Sequence, residues 1–247
     1  VSIVNLVATM AAMLLACERL PATDLSSLRA TTFVGSALPG KIRTETIERI
    51  CPIRYEYYGM QGTGALVVST PEDRVRRPDS VGRAILFSEV RVVDAAGRPL
   101  PPGELGEVIG RSPNSVTAYW QNPEKSAETF RNGWIHTGDL GRIDEQGYLF
   151  ISGRKKDMII TGGQNVHASE VEGTVLACAG VADCAVIGLP DDFWGERVAA
   201  VVVPAPGATV DAQAVIQECR RRLAGFKTPK EVIVQGEPLP RTPTGKV

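Results

Sequence analysis

Between residues 138 and 165 the chain carries Gly138-Asp139-Leu140-Gly141 and then Gly153-Arg154-Lys155-Lys156-Asp157-Met158-Ile159-Ile160-Thr161-Gly162-Gly163-Gln164-Asn165. An acidic turn, a basic turn and a Gly-Gly loop follow one another here, with hydrophobic segments on either side. A polar, glycine-rich knot in such a place reads as the end of one domain and the start of another. With 247 residues, 43% hydrophobic and 22% charged, the chain has globular composition and room for one large domain or two smaller ones.

A formal net charge of -1 provides no long-range field that would argue for nucleic acid or an anionic membrane. The cysteines are Cys17, Cys51, Cys178, Cys184 and Cys219; none forms a CxxC pair and the histidines are scattered, so there is no zinc signature. Free thiols in a reducing cytoplasm are the expectation. The apolar stretch 3–16 falls short of the ~20 residues that span a bilayer, so no transmembrane segment is expected. It also contains Asn5 and Thr9 and lacks a basic start, which makes it a poor signal peptide. The chain opens on Val1-Ser2 and closes on Gly245-Lys246-Val247, and both ends read as cuts through a longer protein.

Residues 3–17 read as one buried helix, 31–35 and 53–58 as strands, and 41–51 as a surface helix with Ile42, Ile47 and Ile50 on one side. Two strands joined by one helical pattern make a βαβ unit, with the loop after each strand open to a ligand. From 80 to 150, short β runs (84–87, 89–93, 106–110) alternate with Pro/Gly turns, as in a small antiparallel sheet or barrel. Asn122 and Pro123 open a helix as N-cap and first residue. Residues 145–147 read as a hairpin turn. Beyond 157 the pattern is α+β: strands at 158–161, 186–189, 198–203 and 231–234, a helix from a Ser169/Glu172 capping box to about Cys178, and a helix over 211–223 ended by Gly225. Arg220-Arg221-Arg222 on that helix reads as a solvated face.

Three features carry chemistry. Asp139, after Thr137-Gly138, is an acid on a tight turn; its two oxygens can accept from the two hydroxyls of a ribose, or it can serve as a local Asx-turn or cap. Gly162-Gly163 lets backbone approach a ligand without Cβ obstruction, or is a plain turn between strand and helix. Lys246, after a glycine on an irregular segment, can neutralise a developing oxyanion or phosphate, or is simply solvated.

Together, Tyr58-Gly59-Met60, residues 134–139, residues 153–165 and residues 240–246 occur in the order and spacing of adenylate-forming enzymes, and the whole chain resembles that superfamily. The run from Gly153 through Gly162-Gly163-Gln164-Asn165-Val166 is similar to its acyl-CoA synthetase branch. The resemblance implies an α/β fold with a β-barrel-like segment, here the C-terminal portion of the large AMP-binding domain (1–155), plus a smaller, mobile α+β C-terminal domain (156–247). It implies that Tyr58 stacks on adenine, with Gly59 and Gln61 beside it, and that Gly35-Ser36-Ala37 lines the acyl and adenine pocket. Asp139 would bind the ribose hydroxyls and Arg154 the ribose or phosphate. Lys156 would be the interdomain hinge, and Lys246 would contact the acyl carboxylate and the α-phosphate. Gly162 and Gly163 would face the pantetheine tunnel, and Trp194, Phe226 and Lys230 the CoA nucleotide.

The implied reaction is activation of a carboxylic acid, foremost a fatty acid, by ATP with Mg2+, and transfer of the acyl group to CoA. Two departures qualify it. The Gly/Ser/Thr-rich phosphate loop of the family is not found; it would lie upstream of Val1 in an N-terminal half, and the isolated polypeptide is expected to be inactive. After Tyr58-Gly59-Met60 the family has Thr and Glu, whereas this chain has Gln61 and Gly62. The Glu holds magnesium, and losing a carboxylate beside a hard cation weakens its binding. Three explanations stand: another acid or a water serves, adenylation is slow, or the enzyme is specialised for the thioester step on a preformed acyl-adenylate. A carrier-protein-loading enzyme and a non-catalytic acyl-AMP- or CoA-binding module are the other readings.

Overall fold

The computed structural model describes residues 1–35, 38 and 40–241. They form two compact units, Val1–Ile151 and the residues from Ser152 onward.

The first unit holds two sheets. In the first, β1 (Ile3–Leu6), α1 (Ala8–Leu15), β2 (Ala30–Phe33), α2 (Gly40–Arg49) and β3 (Arg54–Met60) make two successive parallel crossovers. β4 (Gly64–Ser69) returns antiparallel, α3 (Pro71–Arg76) follows, and β5 (Arg83–Ala84) closes the order β1-β2-β3-β4-β5. The expected helix over 3–17 is therefore a strand and a shorter helix. Its first apolar residues pair in parallel with 30–33, and Thr32 Oγ1 donates to Asn5 Oδ1 at 2.9 Å. A short apolar run fits either structure, and the pairing partner decides. α1 then buries Ala11 and Leu15, with Leu6, Phe33 and Leu38 joining Ala11 in the core. Met13, expected as core, is exposed.

The second sheet contains β6 (Glu89–Val93), β7 (Gly106–Arg111), α4 (Pro123–Thr129), β8 (Phe130–Arg131), β9 (Trp134–Ile143) and β10 (Leu149–Arg154), ordered β10-β9-β7-β6 with β8 on β9. The pairs β6–β7, β7–β9 and β8–β9 are antiparallel. Asn122 caps α4 as expected, accepting from Lys125 N at 3.0 Å. The expected strand 84–87 is shorter: β5 ends at Ala84 and Phe87 takes a left-handed backbone, φ +66°.

The chain passes between the units inside β10, five positions before Lys156. The second unit contains β11 (Met158–Thr161), β12 (Gln164–His167), α5 (Ala168–Leu176), β13 (Val181–Asp191), β14 (Gly195–Pro204), α6 (Ala212–Arg222) and β15 (Glu231–Val234). The order is β12-β11-β14-β13, with β15 parallel to β14. One face carries Val186, Val198, Ala200 and Val202 against Val171 and Val175 of α5 and Val215 and Cys219 of α6. Strands β13 and β14 are longer than the runs 186–189 and 198–203 suggested, because ten paired positions extend them past their apolar centres. Two caps differ from expectation. His167 holds the cap position of α5 with no side-chain bond, and Ser169 Oγ instead donates to Ser152 O at 2.7 Å. α6 ends on an extended Leu223, and Gly225 opens a short 3-10 turn. Arg221 and Arg222 pair with Glu218 at 3.1 and 2.7 Å along the helix, in keeping with a solvated face.

Candidate functional site

The position of Asp139 comes from a slip in register. Glu107 faces Leu140 and Ile109 faces His136, so Val108 alone stands opposite Thr137, Gly138 and Asp139. The expected tight turn is thus a bulge inside β9, and bulges re-aim side chains out of the pleat. Gly138 adopts φ +71°, which a glycine tolerates without a Cβ clash. The Thr137 hydroxyl does the work of the missing ladder bonds: it donates to Val108 O at 2.7 Å and accepts from Asp139 N at 3.0 Å. Half-buried Asp139 meets Tyr58, 81 positions away on β3, whose hydroxyl donates to Oδ2 at 2.8 Å. The Tyr58 ring packs on Leu66, Val67, Val108 and Leu149, which belong to both sheets of the unit. Hydrogen bonds to a charged group contribute about 1.5–3 kcal/mol, enough to hold this carboxylate in one orientation.

Gly59 lies on the same strand, where a Cβ would collide with Gly64 O. Gln61 is exposed in the turn that follows, and Gly35 is exposed just past β2. Gly62 is buried, and a Cβ there would point at Phe130 (3.5 Å) and Ile135 (3.7 Å), both apolar. Among the described residues no three His, Cys, Asp or Glu gather as a metal would need. The surroundings of Gly62 therefore do not fit a magnesium ion, and we assign no step to one. Ser36, Ala37 and Lys246 lie outside the described residues.

In the second unit, Gly162 and Gly163 form a two-residue turn between β11 and β12, with φ +56° and +76°. Two positive φ values in a two-residue hairpin are the geometry that matches strand twist, and the paired glycines provide it. The loop thus leads to a strand, β12, that sequence reasoning missed. Gly162 N donates to Trp194 O at 2.8 Å, and a Cβ on Gly162 would lie 2.6 Å from the Trp194 ring. The tip of one hairpin is therefore docked on the tip of the other. Trp194 is 47% exposed and stacks edge-on with Phe193, which is 81% exposed, ring centroids 4.7 Å apart. Asp191 Oδ1 accepts from Phe193 N and Trp194 N, and these bonds hold its carboxyl below the usual range. Phe226 sits on the 3-10 turn after α6, and the Lys230 side chain is exposed while its N–H donates to Val198 O. Arg154 ends β10, and the Lys156 ammonium is exposed, 3.7 Å from Asp157.

The structure thus joins Tyr58 with Asp139 and Gly162 with Trp194. Thr137 and Asp191 were missed. Thr137 sits two residues ahead of Asp139, and Asp191 two and three residues ahead of Phe193 and Trp194, the offsets of Ser/Thr and Asx turns, and that spacing was the available signal.

Comparison with known proteins places this geometry. The family model described as AMP-binding enzyme matches residues 1–120, and AMP-binding enzyme C-terminal domain matches 170–246. Indoleacetate–CoA ligase of Aromatoleum aromaticum is 40% identical over 235 residues, 95% of this chain and 46% of the ligase. Long-chain-fatty-acid–CoA ligase FadD13 of Mycobacterium tuberculosis is 46% identical over 186 residues, 75% of this chain and 36% of the ligase. The ATP-bound structure of MatB from Rhodopseudomonas palustris superposes with a TM-score of 0.89 at 38% identity, covering all of this chain and 49% of MatB. The chain spans about half the length of the relatives it matches, and it belongs to the AMP-binding, adenylate-forming enzyme superfamily.

Proposed function

We propose that this chain is part of an acyl-CoA synthetase that joins a carboxylic acid to CoA through an acyl-adenylate. The observation that carries the reading is the Asp139 carboxylate, set in a bulge by Thr137 and oriented by the Tyr58 hydroxyl. An acceptor pair so held suits the vicinal hydroxyls of a ribose. In the first step the substrate's carboxylate attacks the α-phosphorus of ATP and pyrophosphate leaves. In the second, the CoA thiol attacks the acyl carbon and AMP leaves. Lys246 would stabilise charge in the first step. The turn at Gly162-Gly163, backed by Trp194, would flank the pantetheine arm in the second. Phe226 and Lys230 would meet the CoA nucleotide.

Lys156 is the proposed pivot between the steps, a few residues absorbing the backbone change. Its exposed side chain and its place just past the break between the compact units support this. A fatty acid is the first substrate class to test, an aryl acid the second; the two relatives above are named for one of each. Five unpaired cysteines suit a reducing cytoplasm, and no described helix is long and apolar enough to cross a membrane.

Gly62 favours one second reading: an enzyme specialised for the thioester step, since Gly62 stands where the resemblance implies a metal-holding Glu and its Cβ direction points at apolar Phe130 and Ile135. The test is the pair of half-reactions in an enzyme carrying this chain at its relatives' full length. Lys246→Ala should abolish pyrophosphate release and spare acyl-CoA formation from supplied acyl-AMP. Equal loss of both overturns the assignment. Wild-type enzyme that makes acyl-CoA only from supplied acyl-AMP establishes the second reading. Offering CoA and a phosphopantetheinylated carrier protein side by side separates CoA ligation from carrier loading.

A further inference from the structure

We propose that the Lys227–Glu170 ion pair positions the CoA end of the site, by tying the turn that carries Phe226 to the helix that follows the Gly162-Gly163 hairpin. The identity of the ligand rests on the reading above; the tie itself lies wholly within the second unit. Lys227 and Glu170 act here as positioning residues and touch no substrate.

Lys227 closes the 3-10 turn Gly225–Lys227, and its backbone bond is local, N–H to Ala224 O at 2.9 Å. Its ammonium reaches 57 positions back along the chain and donates to both carboxylate oxygens of Glu170, each at 2.7 Å. Glu170 lies in the first turn of α5, where the helix dipole also favours a negative charge. The same ammonium stands 5.8 Å from the centroid of the Phe226 ring, within the ~6 Å of a cation–π contact. One cation therefore sets both where the turn lies and what one face of the ring meets.

The two ends of this tie are the two sides of the proposed CoA site. On one side, β12 runs from the Gly162-Gly163 turn straight into α5, and His167, the cap residue of α5, faces Met158 across the hairpin. On the other, Lys230 follows Phe226 and its N–H donates to Val198 O at 2.8 Å. The segment 226–230 is thus held by β14 at its far end and by Glu170 at its near end. His167 is the competing cation for Glu170. Burial lowers its imidazole below the usual value, against the pull of Glu170 and with the push of Lys227, so at neutral pH Lys227 is the charged partner. With side chains 23% and 42% exposed, the pair adds little to overall stability. Its effect is to select one arrangement of the turn.

The experiment follows both half-reactions in an enzyme carrying this chain at its relatives' full length. The variants are Lys227→Met, Glu170→Gln, the two together, and Lys227→Arg. With acyl-AMP supplied, KM for CoA should rise about 5-fold in each of the first two, the equivalent of about 1 kcal/mol. Turnover at saturating CoA and pyrophosphate release should stay as in wild type, the pattern of a lost binding contribution. The double variant should be no worse than either single one, because both remove the same contact. Lys227→Arg keeps the charge and offers a carboxylate two donors, so it should restore KM. A general loss of folded enzyme would instead lower both half-reactions together.

Unchanged KM for CoA in both single variants, when Phe226→Ala raises it, overturns the proposal. So does an additive loss in the double variant, or a rise in Lys227→Met alone, which would make Lys227 a direct contact of CoA. If Phe226→Ala leaves KM for CoA unchanged, the CoA assignment of this turn fails, and the tie is judged by NMR of the 247-residue chain. There the Phe226 ring signals should move in Lys227→Met and Glu170→Gln and return in Lys227→Arg; signals that stay in place overturn the tie.

Discussion

The Tyr58 hydroxyl donates to Asp139 Oδ2 at 2.8 Å, joining the third strand of one sheet to a bulge in the other. This bond links two of the motifs of the first unit that the resemblance assigns to the nucleotide. Tyr58→Phe should lower the stability of the unit by about 1.5–3 kcal/mol, as expected for a hydrogen bond to a charged acceptor. In the full-length enzyme it should weaken AMP binding about 5-fold, and Asp139→Ala about 10- to 100-fold. Denaturation of the chain and titration with fluorescent AMP measure the two effects. Equal AMP affinity in wild type and Asp139→Ala would remove the ribose assignment.

The glycines of the second unit should not be equivalent. Gly163 faces open space, so Gly163→Ala should cost only the left-handed backbone, about 1 kcal/mol. Gly162→Ala adds a methyl 2.6 Å from the Trp194 ring and should cost more, with the Trp194 indole signal displaced in NMR spectra. Thermal melts compare the two. A Gly162→Ala chain with unchanged stability and indole signal would contradict the docked hairpin tips.

Burial raises the Glu172 carboxyl above its usual value of 4.5, though Val186 N donates to its Oε1 at 3.0 Å. A raised folded value means the folded state favours the protonated acid. Its stabilising share is complete at pH below the unfolded value and is lost as pH rises through the folded one. Glu172→Gln keeps an acceptor for Val186 and removes the buried charge. The variant should melt higher than wild type at pH 7, and the gap should close as pH falls below about 4.5. Melts across pH 4 to 8 test the sign.

Thiol labelling should report the two cores. Burial pushes Cys184 up to about 12 and Cys219 up to about 11, so neither supplies thiolate at pH 8. Cys51 is buried, Cys178 is half-buried with a raised thiol, and Cys17 is exposed. Iodoacetamide on the native chain should modify Cys17 rapidly, Cys178 slowly, and the other three only after denaturation. Peptide mass mapping reads the order.

Much of this protein was legible because its signals are local. The 3.6-residue period over 211–223 lies on α6, the Asn122-Pro123 cap starts α4, and the paired glycines at 162–163 turn the chain, since each depends on a few neighbouring residues. The ordered motifs likewise identified the superfamily, because they require only residue types at spacings. What the sequence left open is what distant partners decide. Whether residues 3–6 are helix or strand depends on pairing with residues 30–33. Asp139 is on a bulge rather than a turn because Val108, on another strand, faces three residues at once. Ser169 serves Ser152 rather than its own helix because β10 ends beside α5. Local propensities differ by a few tenths to about 1 kcal/mol per residue, and tertiary hydrogen bonds and burial match or exceed that. Motif spacing therefore fixed which chemistry to look for, and packing between elements far apart in the chain decided how Tyr58, Asp139, Gly162 and Trp194 are held.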